Sequence, residues 1–198
     1  MECYDIIFHI VDSLIALTAL ILVIFGWIVP AKNNARLEHL KWEKDYINLQ
    51  ISKLYGPLSA CLHNGRVIRQ KVFKQLGRHF VFKEGESISN LPAHEQALWK
   101  HYVANYKLKY LRQAVLIVQQ NYHLIDKNDN YNLYEEFIKY TLIWEFTDNQ
   151  YNNGIKNNYN FQYETNYPYE FEEQINTTLK FLKEKELLLI KKLDKKYI

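Results

Sequence analysis

One apolar run constrains this chain more than any other feature: Ile6 to Val29, broken only by His9, Asp12, Ser13 and Thr18 and otherwise apolar or glycine. At about 1.5 Å per helical residue it reaches roughly 36 Å, enough to cross a hydrocarbon layer of about 30 Å with some tilt. Trp27 stands near its end, where an interfacial aromatic belongs, and Pro30 follows. Nothing else in the 198 residues approaches this length of unbroken hydrophobicity.

The flanks read as those of an anchor rather than a cleaved signal. The residues before the run carry Glu2 and Asp5 and no Lys or Arg, and Gly26-Trp27-Ile28-Val29-Pro30 is a poor cleavage sequence. Basic residues follow instead: Lys32, Arg36, Lys41 and Lys44. The positive-inside rule then places a five-residue acidic tail outside and the rest of the chain in the cytoplasm. The expected organisation is a transmembrane segment over 1–30 and a cytoplasmic domain over 31–198. That leaves about 168 residues, one ordinary domain's worth. Cys3 and Cys61 fall on opposite sides of the bilayer in this reading, so no intrachain disulfide is expected.

Glycine and proline are scarce, 6 and 4 residues, which points to long helices. A polar helix is predicted from Ala31 to about Tyr55, with Leu37, Leu40, Ile47, Ile51 and Leu54 at three- and four-residue spacing. Gly56-Pro57 interrupts it, and a second helix runs from Pro57 to about Leu76. Residues 78–92 form a connection, and a third helix spans about Ala93 to Ile125. Asp126 to Asn132 is polar and turn-like, and a fourth helix covers about Leu133 to Phe146. The Asn- and Tyr-rich stretch 148–166 reads as a long, flexible loop. A closing helix opens at Tyr167-Pro168, with acids in its first turns and lysines in its last, in the order the helix dipole favours. The fold class is all-α: one N-terminal transmembrane helix continuing into a stalk helix, then a cytoplasmic helical bundle.

Two patterns bear on function. The first is a heptad seam of polar and small residues in the apolar run: His9, Asp12, Ala16, Ala19, Val23 and Gly26. Small residues let membrane helices approach closely, and polar ones face a bundle or a wet cavity because lipid exposure is costly. Two readings stand: a homo-oligomer whose helices surround a pore, or a lone anchor whose Asp12 reaches the headgroups. The second pattern is charge. Residues 46–125 hold eleven Lys/Arg against Glu84, Glu86 and Glu95, although the whole chain carries only +3. Arg66, Arg69, Lys71, Lys74, Arg78, Lys107, Lys109 and Arg112, with Tyr102 and Tyr106, form a basic, aromatic set suited to a phosphate backbone with stacked bases. The same residues also suit a solvated face over core tyrosines at 102, 106 and 110, or a surface resting on anionic lipid headgroups.

Catalysis has little support. The histidines are scattered, with no HExxH, glycine-rich phosphate loop or nucleophile elbow. His94 and His101 share a helix face without a third ligand, and Cys61 has no base at helical spacing. The sequence predicts no enzyme, no cofactor and no metal site.

A resemblance adds to this reading. The order is a membrane span, Leu54-Tyr55-Gly56-Pro57-Leu58, Trp99-Lys100-His101-Tyr102-Val103, Asn121-Tyr122-His123-Leu124-Ile125, Trp144, then Tyr167-Pro168 before a long helix. This resembles a broad group of short, membrane-anchored helical bacterial proteins. Some of these resemble membrane effectors of anti-phage operons, among them the Hailong-type membrane effectors. The likeness covers most of the chain through short motifs, and no ligand residue transfers one by one. It implies an oligomeric, toxic ion channel restrained by a single-stranded DNA oligomer, which a nucleotidyltransferase encoded nearby would make. The alternative is a membrane-anchored binding or immunity module that presents its helical domain to a protein partner.

Overall fold

The computed structural model describes residues 2–77, 91–152 and 167–194, and every element among them is helical. In chain order these are α1 (Glu2–Leu49), α2 (Gly56–Gln75), α3 (Ala93–Tyr102), α4 (Leu108–Gln120), α5 (Tyr131–Asn152) and α6 (Tyr169–Asp194). Wider π-helical stretches, Gln50–Tyr55 and Val103–Lys107, join α1 to α2 and α3 to α4. The chain divides into two compact units, one of residues up to Tyr46 with those from Leu187 onward, the other Ile47–Glu186.

In the first unit, α1 passes through Pro30 without a break. It is the one described helix long and apolar enough to cross a membrane, with a mean hydropathy of 2.6 over its apolar window and none of that window buried. Leu14, Ile15, Leu22, Phe25 and Trp27 are all exposed on it. Each such side chain is worth about 1.5–3 kcal/mol when removed from water, so a bare face of this kind calls for lipid or a partner helix. The Thr18 hydroxyl donates back to the Leu14 carbonyl, which satisfies it within the helix.

The helix predicted to stop at Gly56-Pro57 does not stop there. Proline lacks an N–H, and its ring presses on the carbonyl four residues back. The backbone answers by widening: Gly56 N–H bonds the Ile51 carbonyl, five residues behind, and the chain continues into α2. A Cβ at Gly56 would lie 2.6 Å from the Ile51 oxygen, so the close approach requires glycine. The end of α2 is conventional, with Gly77 at φ 64° beyond its last turn.

Two other boundaries and one helix face differ from the sequence reading. The helix expected over 93–125 ends at Gln120, where the Asn121 amide side chain bonds the Ile117 carbonyl at 2.9 Å. The fourth helix runs to Asn152, so residues 148–152 of the expected loop are helical; 153–166 lie outside the described residues. The tyrosines at 102, 106 and 110 do not share a buried face, because the wide turn at Val103–Lys107 rotates the positions that follow it. Tyr102 is 4 % exposed and Tyr106 37 %.

The core of the larger unit is aromatic. Phe137 of α5 stacks on Phe171 of α6 at 4.4 Å, and Tyr134 meets Phe171 edge-on at 5.1 Å. Leu54, Leu58, Leu108 and Val118 fill the layer in which α2 packs on α4. A buried polar hub ties the turn between α4 and α5 to three other elements. The Asp129 carboxylate accepts from the hydroxyls of Tyr55 (2.8 Å), Tyr134 (2.6 Å) and Thr178 (2.7 Å). The Tyr55 oxygen in turn accepts from Asp126 N–H at 2.7 Å. Burial pushes both tyrosine pKa values upward, so the hub keeps its protons far into the alkaline range.

Candidate functional site

The basic residues of α2–α4 do not form one stripe. Lys71 and Lys74 lie on the exposed side of α2, and Lys109 is exposed on α4. Arg112 donates from Nε to Glu145 of α5 at 2.6 Å. Tyr106 is turned outward against the His101 ring, 5.8 Å between centroids. Arg78 lies outside the described residues. Arg69, Lys107 and Tyr102 are brought together, with Arg66 beside them in an ion pair to Glu172.

The wide turn at the end of α3 explains this grouping. In a regular α-helix, residues five apart face well away from each other; in a π-helical turn they come closer to one face. Tyr102 and Lys107 bracket that turn. The Lys107 ammonium sits over two rings of α5, 2.8 Å from the Trp144 ring centroid and 5.5 Å from that of Tyr140. Tyr140 meets Tyr167 edge-on at 5.4 Å. On the far side, the Arg69 guanidinium stands 5.5 Å from the Tyr167 ring and 5.7 Å from the Tyr169 ring. Trp99 packs on Tyr102 at 5.4 Å and stacks with Phe73 at 6.2 Å, closing the floor. An open groove of about 590 Å³ runs alongside, lined by Arg66, Arg69, Tyr169, Glu172, Glu173, Asn176, Thr177 and Lys180.

Electrostatics sets this cluster apart. Burial, and then repulsion from Arg69, holds the Lys107 pKa well below the usual lysine range. Burial pushes the Tyr102 phenol up to about 12, with Arg69 pulling the other way, and burial raises Tyr140 and Tyr167 further. Of the neighbouring carboxylates, Glu172 pairs with Arg66 and Glu145 with Arg112, while Glu173 also lines the groove. The buried indole N–H of Trp144 has no acceptor among the described residues.

Other sequence candidates are placed plainly. Ala16, Ala19, Val23 and Gly26 lie along α1 and are exposed in the single chain, and a Cβ at Gly26 would meet nothing within 4 Å. His9 and Asp12 are on the same helix, but their side chains lie outside the described set. Cys61 is buried, donates to the Tyr110 carbonyl at 3.2 Å, and has its thiol pKa pushed up to about 11 by burial, which makes it a poor nucleophile. No group of three potential metal ligands occurs among the described residues. The basic-stripe reading missed Tyr140, Trp144, Tyr167 and Tyr169. Trp144 and Tyr167-Pro168 do stand out in the sequence, but nothing in their spacing ties them to a lysine on another helix.

Comparison with models of known families, with curated proteins and with solved structures finds no match to this chain.

Proposed function

We propose that this chain is a membrane-anchored effector whose cytoplasmic helical domain binds an anionic ligand and whose N-terminal helix self-associates. The observation that carries the first half is the cluster of Arg69 and Lys107 among four aromatic rings. The second half is supported by the exposed apolar length of α1 and the small residues Ala16, Ala19 and Gly26 along it. In full, the reading is an abortive-infection effector of a bacterial anti-phage system. It sits in the inner membrane with its N-terminus out, forms an ion channel as a homo-oligomer, and is gated by an anionic ligand such as a single-stranded DNA oligomer. A nucleotidyltransferase encoded nearby would supply that oligomer.

The test is membrane potential in cells expressing the chain, with binding of a labelled single-stranded oligonucleotide to the purified protein measured alongside. Reversing Arg69 and Lys107 to glutamate is expected to abolish binding and change toxicity, and replacing His9 and Asp12 with leucine to abolish depolarisation. An undisturbed potential under every ligand condition rules out the channel. One observation favours a second reading, an anchored module for a protein partner: α5 exposes Leu142 and Phe146 beside Ile138 and Ile143 in an apolar groove. Exchange of residues 1–30 for an unrelated span separates the two, since the module keeps its activity and the channel loses it.

A further inference from the structure

We propose that Lys107 and Trp144 form a specific binding site for a phosphoryl-class oxyanion, which accepts one hydrogen bond from the Lys107 ammonium and another from the Trp144 indole N–H. This rests on the anionic-ligand reading above and narrows it to one pair of donors.

Three observations carry it. Trp144 is 8 % exposed and its indole nitrogen is buried without an acceptor, in a class of group that folded proteins almost always satisfy. Lys107 is a partly buried cation that faces two ring faces, with no carboxylate or carbonyl accepting from it among the described residues. Buried charges are ordinarily paired, and here the second charge in range, Arg69, has the same sign. Both donors therefore want the same thing, an acceptor. The Lys107 ammonium stands 2.8 Å from the Trp144 ring centroid, on the face of the ring whose edge carries the indole N–H, so the two donors belong to one contact. A phosphoryl group supplies separate oxygens for two donors that point differently, and its charge answers Lys107 and Arg69 together.

The groups facing Lys107 are Arg69 from α2 and Tyr140 and Trp144 from α5; Tyr102 and Tyr167 surround Arg69 and Tyr140, and Glu172 acts on Tyr167. Burial keeps the tyrosines protonated beyond the ordinary range. Lys107 is thus the member of this set whose protonation answers to a bound anion. The anion favours the ammonium, so binding above the free-state pKa of Lys107 takes up a proton.

The experiment titrates the full chain in detergent micelles with inorganic phosphate, phenyl phosphate, short-chain phosphatidic acid and, as a control at equal ionic strength, acetate. It reads tryptophan fluorescence and the heat of binding in two buffers of different ionisation enthalpy. Phosphate or phenyl phosphate is expected to bind with proton uptake while acetate does not. Saturation by phosphatidic acid alone supports the same site with a lipid headgroup as the source. Lys107→Met is expected to weaken binding roughly tenfold or more, the worth of one charge-assisted hydrogen bond. Trp144→Phe is expected to weaken it less and to leave proton uptake in place. Thermal melts of both variants identify a folding failure, and Lys107→Arg, which stays charged, is expected to bind without proton uptake. Wild-type-like phosphate binding by Lys107→Met overturns the site. If the wild type ignores every phosphate probe yet binds oligonucleotide, this inference falls and the broader reading stands; if it binds neither, both fall.

Discussion

At Asp129 a carboxylate is met by three hydroxyl donors; at Lys107 an ammonium is met by two aromatic faces and a second cation. Both groups belong to the Ile47–Glu186 unit. The first is complete, since each oxygen of Asp129 is used and the donors come from the Gln50–Tyr55 turn, α5 and α6. Such a hub fixes one arrangement of the helices that meet there. The second is incomplete, with the Trp144 indole N–H lacking an acceptor among the described residues. A satisfied polar group stabilises a fold, and an unsatisfied one weakens the fold in exchange for affinity towards something else.

The largest effect that would break the comparison is at the hub. Asp129→Ala strands the Tyr55, Tyr134 and Thr178 hydroxyls, and denaturant unfolding of the full chain in detergent is expected to show a loss of about 3 kcal/mol or more. A loss below about 1 kcal/mol would mean the hub is not what fixes the turn between α4 and α5.

Next comes the opposite sign at Lys107. Lys107→Met removes a charge from an unfavourable site and is expected to raise stability at neutral pH by about 1–3 kcal/mol while impairing anion binding. The folded state holds the Lys107 pKa below its unfolded value, so between the two the unfolded chain binds the extra proton and wild-type stability rises with pH. The gain from Lys107→Met therefore shrinks towards pH 10, where the unfolded lysine also loses its proton. A gain that stays constant from pH 7 to 10 would contradict the assignment.

A smaller effect sharpens the comparison from the alkaline side. Tyr102 has a folded pKa of about 12, above the ordinary tyrosine value near 10. Its contribution is whole below pH 10 and is lost as pH rises from about 10 to 12, because the unfolded chain ionises first. Tyr102→Phe is expected to flatten that part of the stability profile.

The smallest effect belongs to the pair Arg112 and Glu145, bonded at 2.6 Å at a partly exposed position. A double-mutant cycle to alanine is expected to give at most about 1 kcal/mol of coupling, with no change in phosphate binding. A change in binding would extend the site beyond the Lys107 cluster.

Much of the architecture was legible in the residues themselves. The apolar run, the scarcity of glycine and proline, and the spacing of leucines and tyrosines identify an all-helical chain with one helix fit for a membrane. Gly56-Pro57 was legible as an irregularity but not as its outcome, because the neighbouring backbone chose a wide turn over a break. The run of basic residues was visible too, yet it named ten binding residues where the structure gathers Arg69, Lys107 and Tyr102, with Arg66 alongside. Counting every third or fourth residue fails across Val103–Lys107, where one widened turn carries Tyr106 out and Lys107 onto the rings of α5.

The sequence by itself determined the local properties: which segments are helical, which one is apolar enough for lipid, and where positive charge accumulates. Those follow from side-chain chemistry read over a few turns. Tertiary structure alone decided that Lys107 faces Trp144 and Tyr140 while Lys109 and Lys71 face solvent, and that Asp129 meets hydroxyls from three separate elements. The reason is physical. Pairings between residues thirty to eighty positions apart depend on how helices pack and where their turns widen, and no local pattern records them.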